Sequence, residues 1–305
     1  MIWNRRQFLK TSSLAVAAGA LARVPGLAQQ AAEVATSFVP LRGNIGIFNG
    51  RGGTIGWFIA DDGVAVVDTQ FPDTAAVCLA GIGERATRPI DLLINTHHHG
   101  DHTGGNAVFR PAVGRIVAHD RVPDLQRAAA AQAESPTDQA YPDTTFAETW
   151  SEDLGGERIT LTHYGPAHTG GDIVVFFENA NVVHMGDLVF NERHPFVDRA
   201  AGASIQAWIT ALERTVADHD DETLYVLGHA KQGLDVTGSK AHLLVQRDYF
   251  TAALEATRAA MAAGRSRDEL TRMEELPGFA GYESGGRLTL GGVLGVAYDE
   301  LSESA

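Results

Sequence analysis

The chain predicts an α/β fold of two similar halves, and three observations carry that expectation. The stretch TIGWFIADDGVAVVDTQ, residues 54–70, sets two apolar β-type runs around Asp61-Asp62-Gly63 and ends just past Asp68. The stretch GDIVVFFENANVVHMGDLVF, residues 171–190, repeats the design around Asn179-Ala180-Asn181 and delivers Asp187. Between such runs the apolar residues recur at helical spacing, so strands and helices alternate.

The remaining elements follow in order. After the first hairpin, 75–86 reads as a helix and 90–95 as a buried strand that leads into a run of histidines. A short strand at 116–118 precedes a helix at 122–131, and the Ala-rich, then Pro-containing stretch 128–142 ends that helix in a surface excursion. Ile205, Trp208, Ile209, Leu212 and Val216 share one face of a helix over 205–217. A strand at 224–227 ends at Gly228-His229, and 241–261 is a long helix. The C-terminal stretch GRLTLGGVLGVAYDELSES fits either a packed helix or an interface.

Composition narrows the function. With 305 residues the chain can bury a sizeable core. Its net charge of -14 argues against a nucleic-acid partner, which needs clustered Lys and Arg. Cys78 is the single cysteine, so an internal disulfide and a cysteine-rich zinc site are both excluded. The N-terminus reads as an export signal over 1–28, with 29–305 as one domain. Arg5 and Arg6 stand ahead of Phe8 and Leu9 in the manner of a twin-arginine signal, and small residues before Gln29 offer a cleavage site. The apolar run from Leu14 to Ala22 is too short to span a bilayer, so removal is expected rather than a membrane anchor. The expected location is periplasmic or secreted, with the export machinery as a transient partner.

The chemistry concentrates in INTHHHGDHTGGN, residues 94–106. In an extended segment His97, His99 and Asp101 point one way and His98 the other. Gly100, Gly104 and Gly105 permit a turn that brings in His102. Imidazole and carboxylate together suit zinc. Three further metal-capable residues stand beside or at the ends of apolar runs, where α/β proteins place their sites: His168 in HYGPAHTGGD, Asp187 in HMGDLVF and His229 in YVLGHAK.

This ordered set resembles the metallo-β-lactamase superfamily, over nearly the whole of 29–305. The resemblance implies a four-layer αββα sandwich with two zinc ions at one sheet edge. It implies that His97, His99 and His168 hold the first zinc, that Asp101, His102 and His229 hold the second, and that Asp187 bridges them. It further implies a hydrolase whose metal-activated water, oriented by Asp101, attacks a carbonyl. Asp68 resembles a family aspartate that braces the ligand loop, and His98 is a bystander.

The substrate is read from departures. Zinc β-lactamases with a cysteine ligand carry Cys-Leu-x-Lys where this chain has Asp187-Leu188-Val189-Phe190, so the carboxylate-gripping lysine is replaced by Phe190. Arg51, Arg193 and Lys231 are the candidate replacements. The stretch GPAHTGGDIVVFF resembles the β-lactamase segment, and with export it favours a small-molecule cyclic amide as substrate. A lactonase or glyoxalase-type thioesterase is the alternative. A non-haem iron oxidoreductase is disfavoured by His99, where flavin-linked diiron relatives usually carry Glu.

Overall fold

The computed structural model describes residues 35–133 and 138–303, and the export signal expected at 1–28 lies outside the described residues. Ser37–Pro40 (β1), Ile45–Asn49 (β2), Ile55–Ala60 (β3) and Gly63–Val67 (β4) form an antiparallel run. Ile90–Ile94 (β5), Val113–His119 (β6) and Thr144–Phe146 (β7) extend the same sheet in parallel. The β3–β4 hairpin closes around Asp61-Asp62, with Ala60 opposite Gly63. Alternation then sorts β4 between two cores. Val64 and Val66 face the helix Pro72–Arg85 (α1), whereas Ala65 and Val67 face the second sheet. α1 opens with Pro72, whose missing N–H is harmless in a first turn, three residues before the expected start. Cys78 is fully buried on this helix, and burial pushes its thiol above the ordinary range.

The second sheet is built from Thr149–Leu154 (β8), Glu157–Thr162 (β9), Val174–Phe177 (β10) and Val182–His184 (β11). It is completed by Leu224–Val226 (β13) and Thr237–Gly238 (β15), in the order β15-β13-β11-β10-β9-β8. Phe190–Asn191 (β12) and His229–Ala230 (β14) pair in parallel as a separate short ladder. Between strands lie Gly100–Thr103 (α2), Asn106–Phe109 (α3) and Val122–Gln132 (α4). Ile205–Asp218 (α5), Lys240–Ala262 (α6), Arg267–Leu270 (α7) and Leu290–Glu303 (α8) follow.

Three cores fill four layers, the expected αββα sandwich. α1 covers the outer face of the first sheet, the sheets face each other across Phe58, Leu92, Leu161 and Val175, and α5, α6 and α8 cover the second sheet. The anchor of the last core is Trp208, fully buried, whose indole N–H donates to Leu188 O at 3.0 Å. The C-terminal stretch resolves as a packed helix, with Val293, Leu294 and Ala297 of α8 buried in that core.

One local expectation fails. The strand ends at Ile94, the chain bends through Thr96–His98, and Asp101 sits in α2, so His97, His99 and Asp101 are not three alternating positions of one extended segment. A strand cannot continue there because a helical turn starts directly after His99, with Thr103 N donating to His99 O at 2.9 Å.

Candidate metal centre

The end of β5, the β9–β10 link, the end of β11 and the end of β13 open on the same side, and each delivers a metal-capable residue. His97 Nε2 lies 3.1 Å from His99 Nδ1, which lies 2.8 Å from His168 Nε2. The other ring nitrogens are all engaged. Thr96 gives its hydroxyl proton to Asp68 Oδ2, so its Oγ1 accepts from His97 Nδ1–H at 3.0 Å. His99 Nε2–H donates to Asp198 Oδ2 at 2.9 Å, and His168 Nδ1–H donates to the Phe196 carbonyl at 2.7 Å. With the outer nitrogens protonated, three inward lone pairs converge.

A second group adjoins the first. Asp101, His102, Asp187 and His229 bring one ligand atom each within 4.8 Å of one another. Asp187 reaches both groups: Oδ1 is 3.0 Å from His102 Nε2, and Oδ2 is 3.3 Å from His229 Nε2 and 3.5 Å from His168 Nε2. His102 is oriented from behind, its Nδ1–H donating to Asp68 Oδ2 at 2.7 Å. Asp68 also accepts from Thr96 N at 2.8 Å, and holds left-handed backbone (φ 64°) to do so. All seven residues singled out as ligands thus meet in one place, with Asp68 behind them.

The electrostatics divide along the same line. Burial, with His102 nearby, holds His97 well below its ordinary pKa, and burial with His99 brings His168 down to about 3, so both are neutral acceptors. Burial also lowers His102 and His229, but Asp187 and its neighbouring carboxylates overcome it, lifting His102 well above its usual value and His229 to about 9. Burial opposes ionisation of Asp101 and Asp187 as well, yet His102 and His229 keep both carboxyls below the normal range.

These donors fit a divalent cation. His102 Nε2 and Asp187 Oδ1 are buried 3.0 Å apart, an imidazole facing a carboxylate, and among the described residues neither has another hydrogen-bond partner. Without a metal a proton on His102 offsets the carboxylate charge, and a divalent cation bound by both atoms would take that proton's place beside three unprotonated nitrogens.

Backbone approach tightens the site further. A Cβ on Gly53 would stand 2.1 Å from His102 Cε1, and one on Gly228 would stand 2.1 Å from Asp187 Oδ1. His184, left unassigned from sequence, is a satisfied core histidine. Its Nε2–H donates to Thr54 O at 3.0 Å, while Nδ1 accepts from Gly186 N. His98 is buried rather than solvated, with Nε2 3.8 Å from Asp198 Oδ2, and burial with His99 nearby lowers its pKa to about 4.

Asp198 escaped the sequence reading. It follows an irregular stretch with no motif around it, and its only signal is an acidic residue before the Arg199–Ala201 turn. Burial works against its ionisation, but the hydrogen bond from His99 keeps the carboxyl below its ordinary pKa. Removing a carboxylate that orients a ligand histidine costs about 10–100-fold in metal affinity or activity. Asp198→Ala is therefore expected to weaken metal binding in that range by chelator competition, with Asp198→Asn recovering part of the loss. Unchanged affinity in Asp198→Ala would show that His99 does not need this partner.

Of the three candidate substrate-binding cations, Arg51 and Lys231 lie outside the lining of the pocket in front of the donors. Arg51 is paired with Asp73 at 2.7 Å and stacks on Phe71, and Lys231 is engaged by Glu192 and Gly281 O. Arg193 lines the pocket of about 680 Å³ in front of the donors. Arg287, which the sequence did not suggest, lines it too and lies over Phe196 at 5.6 Å. Neither arginine has an ion-pair partner among the described residues, and Arg193 Nε is buried without a hydrogen bond.

Comparison with known proteins agrees with this architecture. The profile of the metallo-beta-lactamase superfamily matches residues 49–229. Hydroxyacylglutathione hydrolase of Acidiphilium cryptum is 31% identical, over 68% of this chain and 74% of that protein. The 2,4-dinitroanisole O-demethylase subunit alpha of a Nocardioides strain is 28% identical over 55% of this chain, and the match spans 50% of the demethylase subunit's length. A metallo-beta-lactamase from Pontibacter korlensis superposes with a TM-score of 0.60 at 19% identity, covering 71% of this chain and 99% of that one. With the profile spanning more than half the sequence and the donor residues gathered at the sheet ends, the chain belongs to the metallo-β-lactamase superfamily of metal-dependent hydrolases.

Proposed function

We propose that this chain is an exported two-zinc hydrolase that opens a cyclic amide carrying an anionic group, acting as a β-lactamase. The observation that supports a two-metal hydrolase is Asp187, one carboxylate within reach of both donor groups, and the observation that favours an anionic cyclic amide is the pair Arg193 and Arg287 in the pocket. His97, His99 and His168 would hold one zinc and Asp101, His102 and His229 the other. Zinc at these positions supplies Lewis-acid polarisation of an acyl oxygen and brings the pKa of water from about 15.7 towards 7. The chain itself contributes orientation: Asp68, Thr96, Asp198 and the Phe196 carbonyl hold four imidazoles with their lone pairs inward. Asp101, partly exposed to the pocket, is placed to accept a proton from the attacking water. Arg193 and Arg287 supply positive charge in the place of the missing lysine, and Phe71, Phe190 and Phe196 give the apolar walls.

Asp187, with an Asp rather than a Cys at that position, favours a second reading: a thioesterase of hydroxyacyl compounds, the activity in the name of the Acidiphilium relative. A panel decides between them. The zinc-loaded protein is expected to hydrolyse at least one of a penicillin, a cephalosporin and a carbapenem with kcat/KM above that for a lactone and for S-lactoylglutathione. Rapid thioester turnover with inert β-lactams would replace the first reading by the second. Two equivalents of zinc by elemental analysis are expected, and bound iron with oxygen uptake would sink both.

A further inference from the structure

We infer that a second cavity, beside the metal pocket and outside its donor set, binds a small neutral molecule with an apolar body and a carboxamide group. The cavity, of about 480 Å³, lies between α4 and the turn that leads through His98 into α2. That volume falls within the usual range of small-molecule sites. Phe71, Pro72, Val108 and Ala130 make its walls apolar.

Five polar side chains interrupt the apolar lining, His98, Thr103, Gln126, Asp138 and Gln139. Thr103 and Gln139 are engaged with backbone carbonyls, Asp138 is exposed, and the remaining two are deeply buried. His98 is 6% exposed and Gln126 is 3% exposed. Among the described residues, His98 Nδ1 and both amide atoms of Gln126 are buried without a hydrogen-bond partner. Each such atom costs about 1–3 kcal/mol when left unpaired. A core built only for packing would place leucine at 126 and avoid that cost.

The unpaired atoms set the ligand's chemistry. Gln126 offers one donor site and one acceptor on a planar carboxamide, which a second carboxamide meets with an acceptor and a donor in register. His98 Nδ1 remains for a further polar atom of the ligand. Charge disfavours an anion: among the described residues no Lys or Arg lines the cavity, whereas Asp138 does. This is the opposite of the metal pocket, where two arginines stand ready. Phe71 and Gly100 line both spaces, so the amide belongs either to a free molecule or to a side group of the substrate. The histidine that the metal centre leaves aside thereby acquires a role.

Calorimetric titration of phenylacetamide into the full-length, metal-loaded protein tests this without any turnover, so its outcome is independent of the hydrolase reading. Saturable binding is expected in the wild type. It is expected to weaken on the order of tenfold in Gln126→Leu, the loss of a net hydrogen-bond contribution, and to vanish in Ala130→Phe, which fills the space. Gln126→Leu removes an unpaired buried amide, so its thermal midpoint stays at or above that of the wild type and the variant is folded when tested. Phenylacetate, the anionic counterpart, is expected to bind at least about tenfold more weakly. Absence of saturable heat, equal affinity in Gln126→Leu, or equal affinity for the acid each overturns the proposal. Inhibition kinetics then assign the source: a rise in KM alone identifies a side-group subsite, and a change in kcat alone a separate effector.

Discussion

Asp187→Asn is expected to lower kcat/KM by on the order of 10³-fold or more. The carboxylate is buried at the floor of the pocket and lies 3.0 Å from His102, 3.3 Å from His229, 3.5 Å from His168 and 4.0 Å from His97. The amide keeps its volume but removes the negative charge shared by both groups and turns one acceptor into a donor facing lone pairs. Metal-assisted charge stabilisation contributes several kcal/mol, and each 1.36 kcal/mol is tenfold in rate, so a loss of about 4 kcal/mol corresponds to about 10³. Elemental analysis is expected to show less than the wild-type metal content. Thermal unfolding separates a lost site from a lost fold. A variant with full metal and wild-type turnover would end the case for a shared carboxylate.

Gly53→Ala is the second large effect, expected to cost about 10²-fold or more in turnover. The added methyl would stand 2.1 Å from His102 Cε1 and 2.2 Å from Nε2. Neither side can yield easily. His102 is fixed by Asp68 at 2.7 Å, and Gly53 is pinned by its N–H to Asp101 O at 3.1 Å and its carbonyl to Gln70 Nε2 at 2.6 Å. Displacement of a reacting group by about 1 Å is enough for a 10²-fold loss. Because Gly53 has an ordinary backbone conformation, the effect comes from crowding alone. Restoring room by pairing the change with Asp68→Ala should therefore not recover activity, since it removes the brace instead. A Gly53→Ala protein with unaltered kcat and metal content would refute the crowding argument.

Most of the site was legible in the sequence because its residues follow apolar runs that read as strands. Val64 to Val67 alternate between two cores, and 182–184 and 224–226 are short but wholly apolar or aromatic apart from their ends. Strand ends on one side of an α/β sheet then place His97, Asp187 and His229 together without further information. Other parts gave little signal. β8, TWSEDL, is a polar edge strand whose pattern does not separate it from a loop, although β9 beside it alternates buried and half-buried residues. The short helix after His99 was missed because four residues are too few for a helical period. Asp198 and Arg287 arrive from irregular segments distant in sequence. Arg287 reaches the pocket because the 283–288 stretch pairs back onto 192–194, with Glu283 N donating to Glu192 O and His194 N to Glu283 O. Nothing local encodes such a long return.

The donor atoms come from the ends of both sheets: His97, His99, Asp101 and His102 follow β5, while His168 lies between β9 and β10, Asp187 follows β11 and His229 follows β13. A pair of ions held by these groups, with Asp187 within reach of both, would tie residue 97 to residue 229 across the interface between the two sheets. Folding must seat the halves before the grip exists, which makes capture of the ions a late event. Opening of the seam, by contrast, breaks the grip at once. Bound metal is therefore expected to stabilise the assembled halves, and the thermal midpoint is expected to rise with metal concentration.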